Sequence, residues 1–427
     1  MAEFFLGVVA DDFTGASDAA SFLEKAGVST VLFSGIPGQT REAVKKAQAV
    51  VIALKSRTAP RDEAVEESLK AFLWLKEMGA EKLYFKYCST FDSTAEGNIG
   101  PVIDAVLERF HIPYTVICPS LPVNGRTVKN GLLYVNGVLL ENSPMRDHPL
   151  TPMRDSSLPR LLEAQGRYKG VAVPLEKLPE PSGLLTDRKE EHFYLIPDYY
   201  EELHGDLIAG RFAGLPFLTG GSGLAGALGR WFVRNRKEGG GQRRNWSGTR
   251  GPGLLLAGSC SAMTLRQIQF YQKMGAPSLL VTPREILEGS LREETILAWA
   301  DRQEKPALIY SSAAPDKRRE VQAGSSSSSG EVAGQIEAFF ARLARNGTER
   351  GFIRMIVAGG ETSGAVTRGL GYDSFYIGPE IAPGVPVMIP CENPEMRLVL
   401  KSGNFGQEDF FSRAVEMTAW QEEEYEQ

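Results

Sequence analysis

The sequence predicts two α/β domains, of which the first has a Rossmann-like, mainly parallel sheet with a β-hairpin insertion. Three observations lead to this fold class. Short apolar, β-branched runs alternate with amphipathic stretches, which is the pattern of a parallel sheet covered by helices. One Gly-rich, charged segment without hydrophobic periodicity interrupts the alternation near the middle of the chain. The alternation then restarts, so a second α/β domain is expected after the interruption.

Several apolar runs in the first half of the chain have the length and composition of buried strands. They lie at 4–10, 28–33, 49–54, 82–86, 114–118, 170–174 and 215–219. The amphipathic stretch 60–78 opens with a proline and is followed by a glycine, which is typical of a helix and its ends. Residues 125–143 depart from the alternation, because two strand-like runs flank Asn136-Gly137. That dipeptide favours the tight turn of a β-hairpin.

The interrupting segment defines the predicted domain boundaries. Residues 237–252 are rich in glycine and charge, and we interpret them as the linker between an N-terminal domain, 1–236, and a C-terminal domain, 253–427. Strands of the second domain are predicted at 253–257, 278–282, 306–310, 352–358, 385–389 and 397–401. The C-terminal domain is therefore a second α/β unit with its own sheet.

The composition is that of a soluble globular protein, with 42% hydrophobic and 23% charged residues in a chain of 427. A net charge of −6 argues against a nucleic-acid partner, which a basic excess would favour. No apolar run has the roughly 18 residues of a membrane span, and no basic region of a signal peptide precedes the first strand. Four cysteines are scattered without C-x-x-C spacing. We therefore expect a cytoplasmic protein without disulfides or a zinc site.

Glycines follow three predicted strands of the second domain. The three segments read "LLLAGSCS", "MIVAGGETSGAV" and "LVLKSGNFG". Glycine lets backbone amides approach an anion closely, and the N-terminus of a following helix adds a positive dipole end. One such turn is ordinary in α/β proteins, but three at one sheet edge would form a cradle for phosphate groups. The P-loop pattern G-x-x-x-x-G-K-[ST] does not occur, so we predict a nucleotide site of another type.

A G-x-G-x-x-G pattern, formed by Gly221, Gly223 and Gly226, leaves a dinucleotide site as an alternative. It follows a predicted strand and opens a helix, as such a site requires. The second strand with an acidic end, which would bind the ribose, does not follow, because the chain enters the linker. We expect these glycines to allow close helix–sheet packing or to face the space between the domains. An NAD-dependent dehydrogenase is accordingly the weaker interpretation.

The predicted strand ends of the first domain carry acidic, basic and hydroxyl side chains. Asp11 and Asp12 follow the first strand, and the pair exceeds what one helix cap needs. Arg57 follows the third strand, and its planar guanidinium could bind a carboxylate through two hydrogen bonds. The fourth strand runs into "KYCSTFDST", whose polar residues include Lys86, Ser89, Thr90 and Asp92. An Asx or Ser/Thr turn that caps the next helix is the alternative for this stretch.

Together the strand ends of the first domain predict a site for a small, polyhydroxylated anion. Combined with a phosphate cradle in the second domain, this predicts phosphoryl transfer. That chemistry needs positioned phosphates, a divalent metal ion such as Mg²⁺, and a base for the attacking hydroxyl. Asp12 is the candidate base, while the metal ligands stay unassigned. A non-catalytic sensor of the same anion is the alternative from another class, although a sensor needs no second site for phosphate.

The chain resembles the four-carbon acid sugar kinase family from end to end. The motifs that carry the resemblance are, in order, "ADDFTGASDAA", "DSTAEGNIG", "GGSGLA", "GSCS", "AGGETSGAV" and "SGNFG". The resemblance implies ATP-dependent phosphorylation of the terminal hydroxyl of a four-carbon sugar acid. It implies that the acid is bound by Asp12, Arg57 and the stretch 86–92, with Asp12 nearest the attacking hydroxyl. The residues that it implies for ATP are Ser259, Gly360, Glu361, Thr362, Ser363 and Gly403.

Within the family, "KYCSTFDSTAEGNIGPV" and "NGRTVKNGLLYVNGVLL" are similar to the branch that phosphorylates 3-oxo-tetronate to 3-oxo-tetronate 4-phosphate. The branch that acts on D-threonate or D-erythronate tends to carry Lys-x-Asp-Ser-Thr-x-Arg-Gly-Asn. Glu96 stands here in place of that arginine, which favours the first branch. The spacing of residues does not define the configuration of the acid. A homodimer is expected because symmetric dimers are the commonest soluble assembly.

Overall fold

The computed structural model describes residues 4–38, 41–148, 151–178, 192–236, 246–259, 261–311 and 329–421. The chain forms two compact units, Met1–Arg244 and Asn245–Gln427. Each unit is an α/β structure built on a sheet, as the alternation in the sequence predicts. Of the predicted linker, 237–245 lies outside the described residues, and Thr249 pairs with Ala419 within the second unit.

Unit 1 is built on a parallel sheet. Its described strands are β1 (Phe4–Ala10), β2 (Thr30–Ser34), β3 (Ala49–Ala53), β4 (Ala80–Lys86), β5 (Tyr114–Cys118), β6 (Arg126–Lys129), β7 (Leu132–Val135), β8 (Val138–Leu139), β9 (Gly170–Val173), β10 (Phe193–Pro197) and β11 (Phe217–Gly220). The main sheet has the order β2-β3-β1-β4-β11-β5-β10-β9, and all its neighbouring strands are parallel. Strand β1 is buried along its whole length, as expected for a central strand with both faces covered.

The predicted hairpin is confirmed and belongs to a small antiparallel sheet of β6, β7 and β8. Asn136 and Gly137 have φ of 50° and 81°, the positive values that a type I′ turn requires at both central positions. Val135 pairs with Val138 across this turn. The hairpin therefore forms because Asn136 and Gly137 both adopt the positive φ of a tight turn.

The described helices of unit 1 cover the sheet. They are α1 (Phe13–Lys25), α2 (Arg41–Lys45), α3 (Arg61–Glu77), α4 (Ile99–Phe110), α5 (Leu158–Gln165), α6 (Glu202–Phe212) and α7 (Ser222–Asn235). Helix α7 begins in the G-x-G-x-x-G pattern. A Cβ atom on Gly226 would lie 3.0 Å from the ring of Phe22 in α1, and one on Gly223 would lie 2.7 Å from the carbonyl oxygen of Ser120. These glycines allow close packing against α1 and against the segment after β5, rather than against the sheet as expected.

Unit 2 has a mixed sheet. Its described strands are β12 (Gly253–Ala257), β13 (Ser278–Leu280), β14 (Ala307–Tyr310), β15 (Arg354–Ala358), β16 (Ser374–Ala382), β17 (Val385–Pro390) and β18 (Arg397–Lys401), in the order β13-β14-β12-β15-β18-β17-β16. The five strands from β13 to β18 in that order are parallel, whereas β17 is antiparallel to both neighbours. The described helices are α8 (Ala262–Lys273), α9 (Pro283–Glu288), α10 (Glu293–Ala300), α11 (Ser329–Glu349), α12 (Gly360–Leu370) and α13 (Phe410–Thr418).

Two strands of the large sheets are absent from the sequence prediction, β10 and β16. β16 contains Gly378-Pro379, and a proline inside a run argues against a strand, because it removes a ladder hydrogen bond. The structure accommodates it with a register shift between Ile377 and Glu380 in the pairing with β17. β10 is a run of only five residues that ends in proline. Among the described residues, no helix has the length and apolarity to cross a bilayer.

Candidate functional site

The first cluster of predicted site residues lies at the carboxyl ends of β3, β1 and β4, which are adjacent in the sheet. Asp11 and Asp12 directly follow β1, and Lys86 is the last residue of β4. Arg57 lies in the loop after β3, and its backbone N–H donates to the carbonyl oxygen of Asp11 at 3.2 Å. The sheet order thus brings together residues from three separate parts of the sequence.

Arg57 is bound by both neighbouring aspartates. Its Nε and Nη2 donate to Oδ2 and Oδ1 of Asp11, each at 2.9 Å, and its Nη1 lies 2.9 Å from Oδ2 of Asp12. The side chain of Asp11 is only 5% exposed. The bidentate face of the guanidinium, expected to receive a substrate carboxylate, is therefore occupied by Asp11. The structure places Asp11 as the buried partner of Arg57, and its role in substrate binding stays a prediction.

Asp12 is the more accessible of the two carboxylates, with 32% of its side chain exposed. It precedes α1 in an extended conformation, and its Oδ1 accepts the backbone N–H of Gly15 at 2.6 Å. Burial raises the pKa of Asp12 above its ordinary value, and Arg57, Lys86 and the Gly15 N–H oppose that rise. A reachable carboxylate with a raised pKa is well suited to accept a proton from a hydroxyl group.

Lys86 is buried beside Asp12. Only 3% of the residue is exposed, and Nζ donates to the carbonyl oxygen of Tyr87 at 2.9 Å. A Cβ atom on Gly15 would lie 2.6 Å from Oδ1 of Asp12 and 3.1 Å from Nζ of Lys86. Only glycine lets the start of α1 approach both groups. The ammonium group contributes positive charge to the environment of Asp12.

The loop after β4 is held by its own side chains and by the core. Oγ1 of Thr90 donates to Oδ1 of Asp92 at 2.5 Å and contacts Sγ of Cys88 at 2.9 Å. Phe91 is fully buried with a φ of 51°, a conformation that is rare for a residue with a bulky side chain. Ser89 is half-buried in the same turn. Burial raises the pKa of the Cys88 thiol to about 11, so the thiol is neutral near pH 7.

The turn alternative for this stretch is wrong in one respect, because none of these side chains caps the next helix. The N-cap of α4 is Asn98, and its side chain makes no cap hydrogen bond. Its Nδ2 instead donates to the carbonyl oxygens of Ser56 and Ala59, at 2.7 and 2.9 Å. Asn98 therefore ties the loop after β4 to the Arg57 loop.

Gln165 was not predicted from the sequence, and it fixes the other end of the loop. Its Nε2 donates to Oγ of Ser93 at 2.8 Å, and its Oε1 accepts the backbone N–H of Gly100 at 2.9 Å. The residue is 3% exposed at the end of α5. The sequence could not predict this role of Gln165, because its hydrogen-bond partners lie more than sixty positions away in the chain.

The second cluster lies in unit 2, where the loops after β12, β15 and β18 meet. These strands are adjacent and parallel in the order β12-β15-β18. The backbone N–H groups of Gly258 and Ser259 donate to the carbonyl oxygen of Ala358, at 3.1 and 3.2 Å. The N–H of Gly359 donates to the carbonyl oxygen of Lys401 at 2.9 Å. The predicted convergence of the three glycine-containing loops is thus observed.

Glycine is required where these loops approach one another. Gly359 has a φ of 130°, and a Cβ atom there would lie 2.9 Å from Oγ1 of Thr362. A Cβ atom on Gly403 would lie 2.6 Å from Oγ of Ser259. A side chain at either position would fill the space between the loops, so the close approach depends on its absence.

The first turn of α12 supplies the remaining predicted residues. Gly360 and Glu361 are exposed, whereas Thr362 and Ser363 are buried. The first N–H groups of a helix have no intrahelical acceptor and carry its positive dipole end. Oγ of Ser363 is buried, and among the described residues it has no hydrogen-bond partner. These are the features of a site that donates hydrogen bonds to an anionic group.

Three side chains organise the loop after β18. The carbonyl oxygen of Gly403 accepts from Oγ of Ser261 at 2.5 Å, from Oγ1 of Thr264 at 2.9 Å and from Nζ of Lys401 at 3.0 Å. Ser261 is also the N-cap of α8, where its Oγ accepts the N–H of Thr264. One carbonyl oxygen thus links the loops after β12 and β18.

An open groove of about 530 Å³ lies next to these loops. Its walls are the first part of α8, which follows the Ser259 loop, and residues 407–413, which follow the Gly403 loop. Gln267 of α8 holds the second wall, because its Nε2 donates to the carbonyl oxygens of Phe405 and Gln407, at 3.0 and 2.8 Å. The lining residues are Met263, Arg266, Phe270, Gln407, Glu408, Asp409 and Arg413.

Comparison with family models assigns a description to each half of the chain. Residues 6–228 match a sugar-binding N-terminal domain, and residues 254–411 match a nucleotide-binding C-terminal domain. Together the two models cover most of the sequence. Each contains one of the two clusters described above.

The chain is also similar to curated proteins over nearly its whole length. It is 43% identical to a 3-oxo-tetronate kinase of Salmonella typhimurium over 96% of this chain and 98% of that protein. It is 41% identical to a 3-oxo-tetronate kinase of Haemophilus influenzae over 96% of this chain and 99% of that protein.

Two solved structures share the fold. A Salmonella typhimurium structure is 42% identical with a TM-score of 0.86, and the match covers 96% of this chain and 98% of the other. A Haemophilus influenzae structure of the DUF1537 family is 40% identical with a TM-score of 0.83, over 96% of this chain and all of the other. The similarity therefore covers both units.

Proposed function

Because the chain belongs to the four-carbon acid sugar kinase family, we propose that it transfers the γ-phosphoryl group of ATP to the 4-hydroxyl of 3-oxo-tetronate. The products are 3-oxo-tetronate 4-phosphate and ADP. The observation that carries the substrate is the full-length similarity to 3-oxo-tetronate kinases, at 43% identity for one relative and 41% for another. The hydroxyl oxygen attacks the γ-phosphorus, the bond to the β-phosphate oxygen breaks, and the hydroxyl proton passes to a base.

We propose that Asp12 is that base and that Arg57 positions it. Three of the five guanidinium N–H groups are used by Asp11 and Asp12, and the remaining N–H groups could reach a substrate carboxylate. The raised pKa of Asp12 makes it a stronger base than an ordinary aspartate, and its partial exposure leaves it reachable. Lys86 and the loop with Ser89, Thr90 and Asp92 would bind the other oxygens of the acid.

We propose that ATP binds at the three loops of unit 2. The glycines at 258, 359 and 403 let the three loops approach one another closely, and Ser363 provides a buried hydroxyl without another described partner. Ser259, the first turn of α12 and Gly403 would contact the phosphates. This donor set fits a triphosphate without a P-loop.

The groove beside the Gly403 loop is the proposed position of the nucleoside. Its volume of about 530 Å³ is within the range of small-molecule sites. Phe270 and Met263 offer apolar surfaces to a planar base, and the carboxylates of Glu408 and Asp409 can accept hydrogen bonds from ribose hydroxyls. Both walls of the groove continue from loops that we assign to the phosphates.

Mg²⁺ is the expected metal, because it neutralises the charge of the phosphates in phosphoryl transfer. It is usually held by one or two carboxylates together with phosphate oxygens, so it needs no dedicated protein cluster. Among the described residues, no group of three or more His, Cys, Asp or Glu side chains is arranged to hold a metal. A cytoplasmic location and a homodimer remain part of the proposal, the latter on the frequency of symmetric dimers.

A coupled ADP-release assay with Mg-ATP tests the proposal. The acceptor panel is 3-oxo-tetronate made in situ, D-threonate, D-erythronate and L-threonate. We expect the highest kcat/KM with the oxo acid. Turnover with only a threonate or erythronate would keep the kinase and contradict the substrate. No ADP release with any acceptor, while ATP still binds, would contradict the assignment of the unit 1 site.

A further inference from the structure

Lys401, the last residue of β18, is hydrogen-bonded to the loops after β15 and β18 and to the helix that follows the β12 loop. Its carbonyl oxygen accepts the N–H of Gly359, in the loop after β15. Its Nζ donates to the carbonyl oxygens of Ser402 and Gly403, at 3.2 and 3.0 Å, in the loop after β18. The same Nζ donates to Oγ1 of Thr264 at 3.1 Å, in the first turn of the helix that follows the β12 loop. Only 1% of the residue is exposed.

The ammonium group of Lys401 has three hydrogen-bond acceptors but no described carboxylate partner. All three acceptors are uncharged oxygens, and the Phe410 ring lies with its centroid 5.7 Å from Nζ. Within the described residues, no ion pair involving Lys401 is formed. Burial alone lowers the pKa of Lys401 to about 7. The charged residues on the elements that carry these loops include Arg266, Glu361, Glu408, Asp409 and Arg413.

A buried cation that lacks a negative partner is unstable in its charged form, because the hydrogen bonds do not replace the lost hydration. The loops to which Lys401 is bonded are those that we assign to the phosphates of the nucleotide. Phosphates at these loops would bring negative charge to this side chain. Charge of opposite sign within about 4–6 Å raises the pKa of a lysine by roughly one to three pH units.

We propose that Lys401 is a positioning residue that takes up a proton when the phosphates of a nucleotide bind, so that its hydrogen bonds to the loops are made by an ammonium group in the nucleotide-bound state. The proposal rests on the nucleotide site of the proposed function. The proton comes from the solvent: the neutral amine of Lys401 becomes an ammonium group, and no covalent bond to the nucleotide forms. A lysine that only fastens the loops would keep one protonation state throughout.

Isothermal titration calorimetry with Mg-ADP, in two buffers of different ionisation enthalpy near pH 8, measures the uptake directly. With a pKa of about 7 before binding, about a tenth of the Lys401 side chains are charged at that pH. After a rise of about one to three pH units, between half and nearly all are charged. The expected uptake by the wild type is therefore about 0.4–0.9 proton per nucleotide.

The sign of the pH dependence follows from the same linkage. Binding is coupled to protonation, so the affinity for Mg-ADP should fall by up to about tenfold per pH unit as the pH rises above 7. The fall should end at the pKa of the nucleotide-bound state. Lys401→Arg keeps a permanent charge and should show neither the uptake nor this fall. Lys401→Met should bind Mg-ADP more weakly and also show no uptake.

Lys273→Met is the matched control, because Lys273 is exposed at the end of α8. It should retain the proton uptake of the wild type. The proposal is overturned if the wild type binds Mg-ADP without proton uptake, or if Lys401→Arg takes up as many protons as the wild type. The wild-type and Lys401→Arg measurements suffice if Lys401→Met fails to fold. If the wild type binds no nucleotide at all, the proposed function fails instead.

Discussion

Replacing Asp12 with asparagine separates its proposed chemical role from its structural roles. Oδ1 of Asp12 accepts the Gly15 N–H, and Oδ2 is paired with Arg57. An asparagine has one side-chain oxygen, so it can keep only one of these contacts. Asparagine is as good an N-cap as aspartate, and we expect it to keep the bond to Gly15. The contact with Arg57 is then the one that is lost.

The structural effect of Asp12→Asn should be small. Arg57 keeps both hydrogen bonds to Asp11, and the lost ion pair is partly exposed on both sides. Such a pair contributes up to about 1 kcal/mol to the free energy of unfolding. The catalytic effect should be much larger, because removal of a general base lowers turnover by about 10²–10⁴-fold. That corresponds to an increase of about 3–5 kcal/mol in the activation free energy.

The assay combines kcat from coupled ADP release, the Kd for Mg-ATP from calorimetry and a thermal unfolding curve. We expect kcat to fall at least about 100-fold while the Kd for Mg-ATP changes less than about twofold. Asp155→Asn is a matched control, since Asp155 also accepts a backbone N–H and two bonds from an arginine, Arg160, but lies outside the cluster. Its kcat should equal that of the wild type. Retention of more than a tenth of kcat by Asp12→Asn would refute the role of Asp12 as the base.

Three further predictions concern the glycine loops, the groove and the pH profile. Gly359→Ala should weaken Mg-ATP binding at least about tenfold, because a φ of 130° and the crowding at Cβ strain any side chain there. Gly371→Ala, at an uncrowded position, is the control and should affect only stability. Equal Mg-ATP affinities of Gly359→Ala and the wild type would contradict the proposed phosphate cradle. Phe270→Ala should weaken the binding of Mg-ATP but not the binding of inorganic triphosphate, and Gln269→Ala, at an exposed neighbouring position, is the control. Weaker binding of both ligands by Phe270→Ala would contradict the proposed position of the nucleoside. In the pH profile of kcat, the midpoint of the acid limb should lie above the ordinary aspartate pKa of 3.8, because activity is lost as the pH falls through the raised pKa of Asp12. A midpoint at the ordinary pKa would contradict the assignment of Asp12 as the base.

Much of the fold follows from the sequence, because periodicity and turn chemistry act locally. The runs at β1, β5 and β12 and the Asn136-Gly137 turn are predicted at nearly their observed bounds. β16 escapes prediction because its interior proline is accommodated by a register shift against β17, which is a tertiary effect. Local sequence signals are thus sufficient where the structure follows them. They fail where pairing with another strand compensates for an unfavourable residue, such as the proline in β16.

The sequence predicts which residues belong to each candidate site, but not which of them are hydrogen-bonded to one another or how deeply they are buried. Parallel strands place their carboxyl ends at one edge, which is why Asp12, Arg57 and Lys86 could be grouped from the sequence. The engagement of Arg57 by Asp11 could not be predicted, since it depends on side-chain directions across two loops. Lys401 was missed for a related reason: a lysine at the end of a strand ordinarily reaches solvent, and here the surrounding loops bury it.

The position of β11 in the sheet of unit 1 has a consequence for synthesis of the protein. β11 lies between β4 and β5 and is hydrogen-bonded to both, yet it follows β5 by about a hundred residues in the chain. A ribosome adds about 5–20 residues per second, so β5 exists for roughly 5–20 s, and β4 for longer, before the strand that joins them is synthesised. During that time each presents an unpaired edge, which is a template for association with other chains. A nascent chain arrested before Phe217 should accordingly need chaperone protection.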